Sequence, residues 1–96
     1  MTAYNVVRFK VKPGQEKAFL DAHKEIPDLK GFKGGGIIKT GDRTYCFVGQ
    51  WKDMDALAAA RPKMIGMLDK TRSMLEDLGN GLGVTDPASG DVVVVL

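Results

Sequence analysis

The run DVVVVL at residues 91–96 constrains this chain more than any other stretch. A strand passes successive side chains to opposite faces, so the five consecutive apolar residues Val92–Leu96, placed in a strand, demand cover on both sides. Left bare, such a run invites aggregation. The run therefore predicts a terminal strand in a sheet that the chain's own helices cover on one face. A second copy of the chain, docked sheet to sheet, would cover the other.

The rest of the chain supplies the sheet and helices that this requires. Residues 4–12, YNVVRFKVK, alternate, with Val7, Phe9 and Val11 on one side and Val6, Arg8 and Lys10 on the other. Pro13-Gly14 ends this strand. From Gln15 to Ile26 the period becomes helical, with Phe19, Ala22 and Ile26 as the stripe and His23 flanking it, and Pro27 stops the helix. DLKGFKGGG reads as a connection. IIKT and RTYCFVGQW follow as two strands joined by the two-residue loop Gly41-Asp42. That loop pairs Ile38 with Tyr45 and Gly36 with Phe47. One face then carries Ile38, Arg43, Tyr45, Phe47 and Trp51 with Gly34, Gly36 and Gly49; the other carries Ile37, Cys46, Val48 and Gln50. Asp53 caps a short helix to Ala60, and Pro62 opens a second helix that runs to Gly79. GNGLGVTDPASG reads as a linker before the final strand. The order β-α-β-β-α-β is ferredoxin-like: one α+β domain over residues 1–96, with an antiparallel sheet that pairs with a second copy into a dimeric α+β barrel.

Composition excludes several function classes. Fourteen basic and twelve acidic residues are spread without a basic block, so nucleic acid is not an expected partner. No stretch approaches about 18 apolar residues, so no membrane partner is expected, and the N-terminus lacks a signal-peptide pattern. The lone Cys46 permits no internal disulfide and fits a cytoplasmic location. One histidine, one cysteine and scattered carboxylates assemble no metal site. KGGG lacks the phosphate-loop pattern, and KGFKGGGIIK lacks the stacking aromatics of an RNA-recognition motif.

RFKVKPGQEKAFLDAH, YCFVGQWKDMDAL and VTDPASG resemble the antibiotic biosynthesis monooxygenase (ABM) superfamily of small dimeric α+β barrel proteins. The likeness in element order covers essentially the whole chain. It implies a cofactor-independent monooxygenase that oxidises a small aromatic or quinol with molecular oxygen. The family also contains quinol monooxygenases, haem-degrading enzymes and members without known activity. The haem-degrading branch pairs a strand Asn with a Trp and an axial His. Here Val7 stands at the Asn position, Ala60 at the Trp position, and no histidine follows His23, so no cofactor is expected.

The residues offer a compatible site. His23 is the one side chain suited to exchanging a proton near neutral pH, and could take the phenolic proton of a hydroquinone; otherwise it is a boundary histidine. Asn5 shares the parity of Val7 and Phe9 and so turns an amide inward, where a substrate hydroxyl or carbonyl could partner it, unless the strand's start is solvated. Trp51, Tyr45 and Phe47 form an aromatic row that could wall a substrate pocket or simply fill the core. Arg61, Lys70 and Arg72 read as a solvated helix face. The alternative to an enzyme is a non-catalytic dimeric module that binds a small hydrophobic ligand or a partner protein; an isomerase or lyase on the same scaffold is a third reading. A cavity of roughly 300–1,000 Å³ containing His23 or Asn5 would favour chemistry.

Overall fold

A computed structural model describes residues 1–96. Strand β1 spans Ala3–Lys10, helix α1 Glu16–Ala22, β2 Phe32–Gly41, β3 Thr44–Trp51, helix α2 Met54–Thr71 and β4 Asp86–Asp91, with a single 3-10 turn at Arg72–Met74. The four strands form one antiparallel sheet in the order β2-β3-β1-β4. The α+β, ferredoxin-like order is as the sequence pattern predicts, with both helices on one face of the sheet.

The last strand is not where the pattern placed it. β4 is DPASGD, the expected linker, and Val92–Leu96 lies beyond it. β4 is an edge strand, which needs only backbone groups directed at β1, and an edge tolerates Pro87. Its ladder runs from Arg8↔Asp86 to Ala3↔Asp91, and one further bond joins Val92 N–H to the Thr2 carbonyl (2.8 Å). There β1 runs out of partners, so Val93 is 86% exposed and Leu96 fully so. The expectation that this run is the terminal strand of the sheet is thereby corrected.

The hairpin register also differs by one residue. The loop is Asp42-Arg43, and a bulge between Lys39 and Gly41 sets Ile37 opposite Phe47 and Ile38 opposite Cys46. Ile37, not Ile38, therefore shares the helix-facing side with Tyr45, Phe47 and Trp51. Gly35, not Gly34 or Gly36, lies there opposite Gly49. The shift rests on Arg43, a non-glycine residue at φ 54°, a conformation that costs about 1–2 kcal/mol. Offsetting bonds hold it: its carbonyl accepts from Val11 N–H (2.7 Å), while Nη1 donates to the Val11 carbonyl (3.0 Å) and to Glu76 Oε2 (2.7 Å).

The glycines of FKGGG belong to β2 rather than to a connection. α1 ends at His23, three residues short of Ile26. α2 is one continuous helix with Pro62 inside it, not two. The buried or partly buried stripe Leu57, Ala60, Met64, Leu68 and Thr71 passes unbroken across Pro62, and that packing offsets the proline's lost hydrogen bond. Asp53 is the N-cap as predicted, accepting from Ala56 N–H at 2.8 Å. Beyond the 3-10 turn the chain is extended, and Leu75 bridges to Val11 instead of continuing a helix to Gly79. No helix is long and apolar enough to cross a membrane.

The space between sheet and helices holds two separate buried clusters. Ala3, Leu29, Trp51, Leu57 and Ala60 form one. Phe9, Val11, Phe19, Tyr45 and Leu75 form the other. Along the inward face of β1 the first cluster takes Ala3 and the second takes Phe9 and Val11. Asn5 and Val7 lie between.

Candidate functional site

That interval is a cavity of about 400 Å³, floored by Asn5, Val7 and Phe47, roofed by Leu57, Met64 and Leu68 of α2, and edged by Pro87 and Ser89 of β4. Ile26 and Leu29 from the segment after α1 and Phe9 of β1 complete most of its apolar wall. It opens because the core is split: residues of two clusters pack tightly at either end and leave the middle of the sheet uncovered.

Its polar groups are few and each is oriented by the protein. Trp51 Nε1 donates to Asn5 Oδ1 at 2.7 Å, a buried bond. An indole N–H can only donate, so Asn5 must present its oxygen to Trp51 and turn its NH₂ group the other way. No side-chain polar atom is sealed off without a partner. The Asn5 amide therefore opens on the cavity with two unused donors. Gly49, opposite Asn5 in the ladder, makes this possible: a Cβ there would lie 2.6 Å from Asn5 Oδ1 and 2.8 Å from Phe47 Cε1.

His23 is held in a comparable way. Its Nδ1 lies 2.8 Å from the Phe19 carbonyl, which only accepts, so Nδ1 carries the proton. In the neutral ring, Nε2 is then the acceptor. The ring is fixed against Phe19, with centroids 4.5 Å apart. It lines the inner cavity and also a second, more polar hollow of about 560 Å³ between the end of α1 and α2, bordered by Glu25, Lys63 and Lys70.

Of the residues singled out in the sequence, Asn5, His23 and Phe47 line the cavity together. Trp51 and Tyr45 do not; Trp51 is 0% exposed and packs with Leu57 and Phe32, and Tyr45 packs with Phe19. Arg61, Thr85 and Ser89 line it although the sequence pattern put Arg61 on a solvated face and the other two in a linker. A signal for Arg61 exists: Leu57, Arg61, Met64 and Leu68 stand at i, i+4, i+7 and i+11, one face of α2. No group of histidine, cysteine or carboxylate side chains is placed to hold a metal ion.

Residues 2–62 match the antibiotic biosynthesis monooxygenase family, and the chain belongs to it. Solved structures agree on the fold. A protein of Chloroflexus aurantiacus J-10-fl with the same family designation superposes with a TM-score of 0.75 at 11% identity, covering 100% of this chain and 97% of that one. A variant of SnoaB, a cofactor-independent oxygenase from Streptomyces nogalater, gives 0.72 at 18% identity, covering 99% and 96%. A protein of unknown function from Nitrosomonas europaea, NE2512, gives 0.73 at 18% identity, covering 99% and 92%. No curated protein matches the chain.

Proposed function

We propose that this chain is a cofactor-independent monooxygenase that oxidises a small aromatic or quinol substrate with molecular oxygen. The observation that carries the reading is that His23 and Asn5, from different parts of the fold, both line one largely apolar cavity of about 400 Å³, a size that suits a small ligand. Family membership and the likeness to a cofactor-independent oxygenase support it.

In this reading His23 Nε2 takes the proton of a substrate hydroxyl, leaving an electron-rich oxyanion. Asn5 donates an N–H to a substrate oxygen and fixes the ring's orientation. The oxyanion passes an electron to dioxygen, and the two radicals combine with a new C–O bond. Loss of the ring hydrogen and cleavage of O–O then give the quinone and one water. The substrate loses two hydrogens and gains one oxygen, so all four electrons that reduce dioxygen come from it. The apolar walls exclude bulk water from the charged intermediate.

The working form in this proposal is a cytoplasmic homodimer joined through the open sheet face. That face carries Tyr4, Val6, Ile38 and Val48, of which Ile38 is 52% exposed, and no helix covers it. The bare Val93–Leu96 tail adds apolar surface in need of cover.

Oxygen uptake by the purified protein, with a panel of hydroquinones and phenols, tests the activity. His23→Ala should lower uptake by roughly 10²–10⁴-fold while the circular dichroism spectrum stays native. No uptake across the panel, with ligand still bound, would leave a non-catalytic binding module instead.

A further inference from the structure

The cavity's charge is one-sided. None of its lining residues is Asp or Glu, and the one permanently charged group is Arg61. Arg43 and Arg72 are each paired with a carboxylate, whereas Arg61, like Arg8 on the sheet's other face, makes no ion pair. The Arg61 side chain makes one hydrogen bond, and a long one, Nη2 to Ser89 Oγ at 3.4 Å. Ser89 lies directly opposite Asn5 in the β1–β4 ladder. One end of the cavity thus gathers the Arg61 guanidinium, the Ser89 hydroxyl and the free Asn5 amide. All three can donate, and no fixed negative charge stands among them to accept.

The other end differs. His23 sits beside Phe9, ring centroids 6.5 Å apart, and Phe9 is four residues along β1 from Asn5, about 13 Å at ordinary strand rise. A neutral His23 offers an acceptor there. Between the two ends the walls are aliphatic and aromatic.

From this polarity we infer that the ligand is an aromatic hydroxy acid: an apolar ring system whose hydroxyl meets His23 and whose carboxylate, at the far end, meets Arg61, Ser89 and Asn5. The inference rests on the cavity being the substrate site. Unpaired guanidinium and amide donors recognise an oxyanion through charge-assisted hydrogen bonds, and a planar carboxylate fits the arginine fork. Arg61 lies at the mouth, so its contribution is screened by salt.

Isothermal titration calorimetry with 6-hydroxy-2-naphthoate and its neutral isostere 6-hydroxy-2-naphthamide provides the test, because the two differ only at the end that would face Arg61. Wild type should bind the carboxylate about tenfold more tightly than the amide. Arg61→Ala should weaken the carboxylate more than the amide and so cut the preference several-fold, Arg61→Lys should retain more of it, and added salt should shrink it. Equal binding of the two compounds by wild type would overturn the anion assignment and leave the cavity as a neutral-ligand site. Binding of neither would remove the substrate-site reading itself.

Discussion

Trp51 and Asn5 are joined side chain to side chain, across neighbouring strands, by a 2.7 Å bond that neither residue shares with anything else. Asn5 faces Gly49 in the ladder, so Trp51 is its diagonal neighbour on the same face. The tryptophan therefore belongs to the core by packing and to the cavity by proxy. It sets which end of the Asn5 amide a ligand meets.

Trp51→Phe keeps most of the ring and deletes the donor. It should destabilise the fold by about 1–3 kcal/mol, since Asn5 Oδ1 loses its only partner. It should also lower substrate affinity, because the amide is then free to rotate. Thermal denaturation and calorimetric titration would read the two effects separately. A variant that loses stability but binds normally would show that the bond serves packing alone.

Gly49→Ala introduces a methyl group where Asn5 Oδ1 and two aromatic rings, Phe47 and Phe32, already converge. The expected cost is about 1–3 kcal/mol from overpacking, with the Asn5–Trp51 bond broken or bent. The indole N–H resonance of Trp51 should shift in the NMR spectrum. An unchanged resonance would mean that the rings, rather than Asn5, give way.

Val7→Phe points a larger side chain into the cavity from its floor. Empty space is available, so stability should change little. Ligand binding and any oxygen uptake should fall at least tenfold. Retained activity would place the reaction elsewhere on the molecule.

Ile38→Lys tests the open sheet face. A homodimer joined there should dissociate, with a lysine on each copy facing apolar surface, and light scattering would report a monomer with native circular dichroism. Truncation after Val92 asks the same of the tail, and should weaken association without altering the ladder that ends at Ala3↔Asp91. If both variants keep wild-type association, the proposed interface is wrong.

What was legible in the sequence followed from side-chain pattern. The alternation of β1 announced both its core face and the inward turn of Asn5, and Asp53 announced the start of α2. What depended on the backbone was hidden. DPASGD has no strand composition, yet it is a strand because β1 supplies the matching donors and acceptors. VVVVL has strand composition, but no partner lies beside it. The one-residue register shift hung on Arg43 adopting a positive φ, a conformation expected of glycine, and on bonds to Val11 and Glu76, far away in sequence. For the site, His23 and Asn5 could be listed but not brought together. The split of the core into two clusters, which creates the cavity, is a property of three-dimensional packing. Arg61 stands in the helical period of the cavity-facing stripe, where the sequence reads first as a solvated face.

The position of β1 between β3 and β4 has a consequence for how the chain is made. Synthesis runs from the N-terminus, so β1 emerges before either neighbour. β3 can pair with it once residue 51 is out, but the other edge waits for residues 86–91. From Lys10 to Asp86 is 76 residues, roughly 4–15 s of translation. Through that interval the edge of β1 that β4 will take is open to the equivalent segment of a neighbouring nascent chain, and the cavity cannot close until β4 arrives. Strand exchange on a polysome would begin there, and a slow-translating stretch after α2 would lengthen the opportunity.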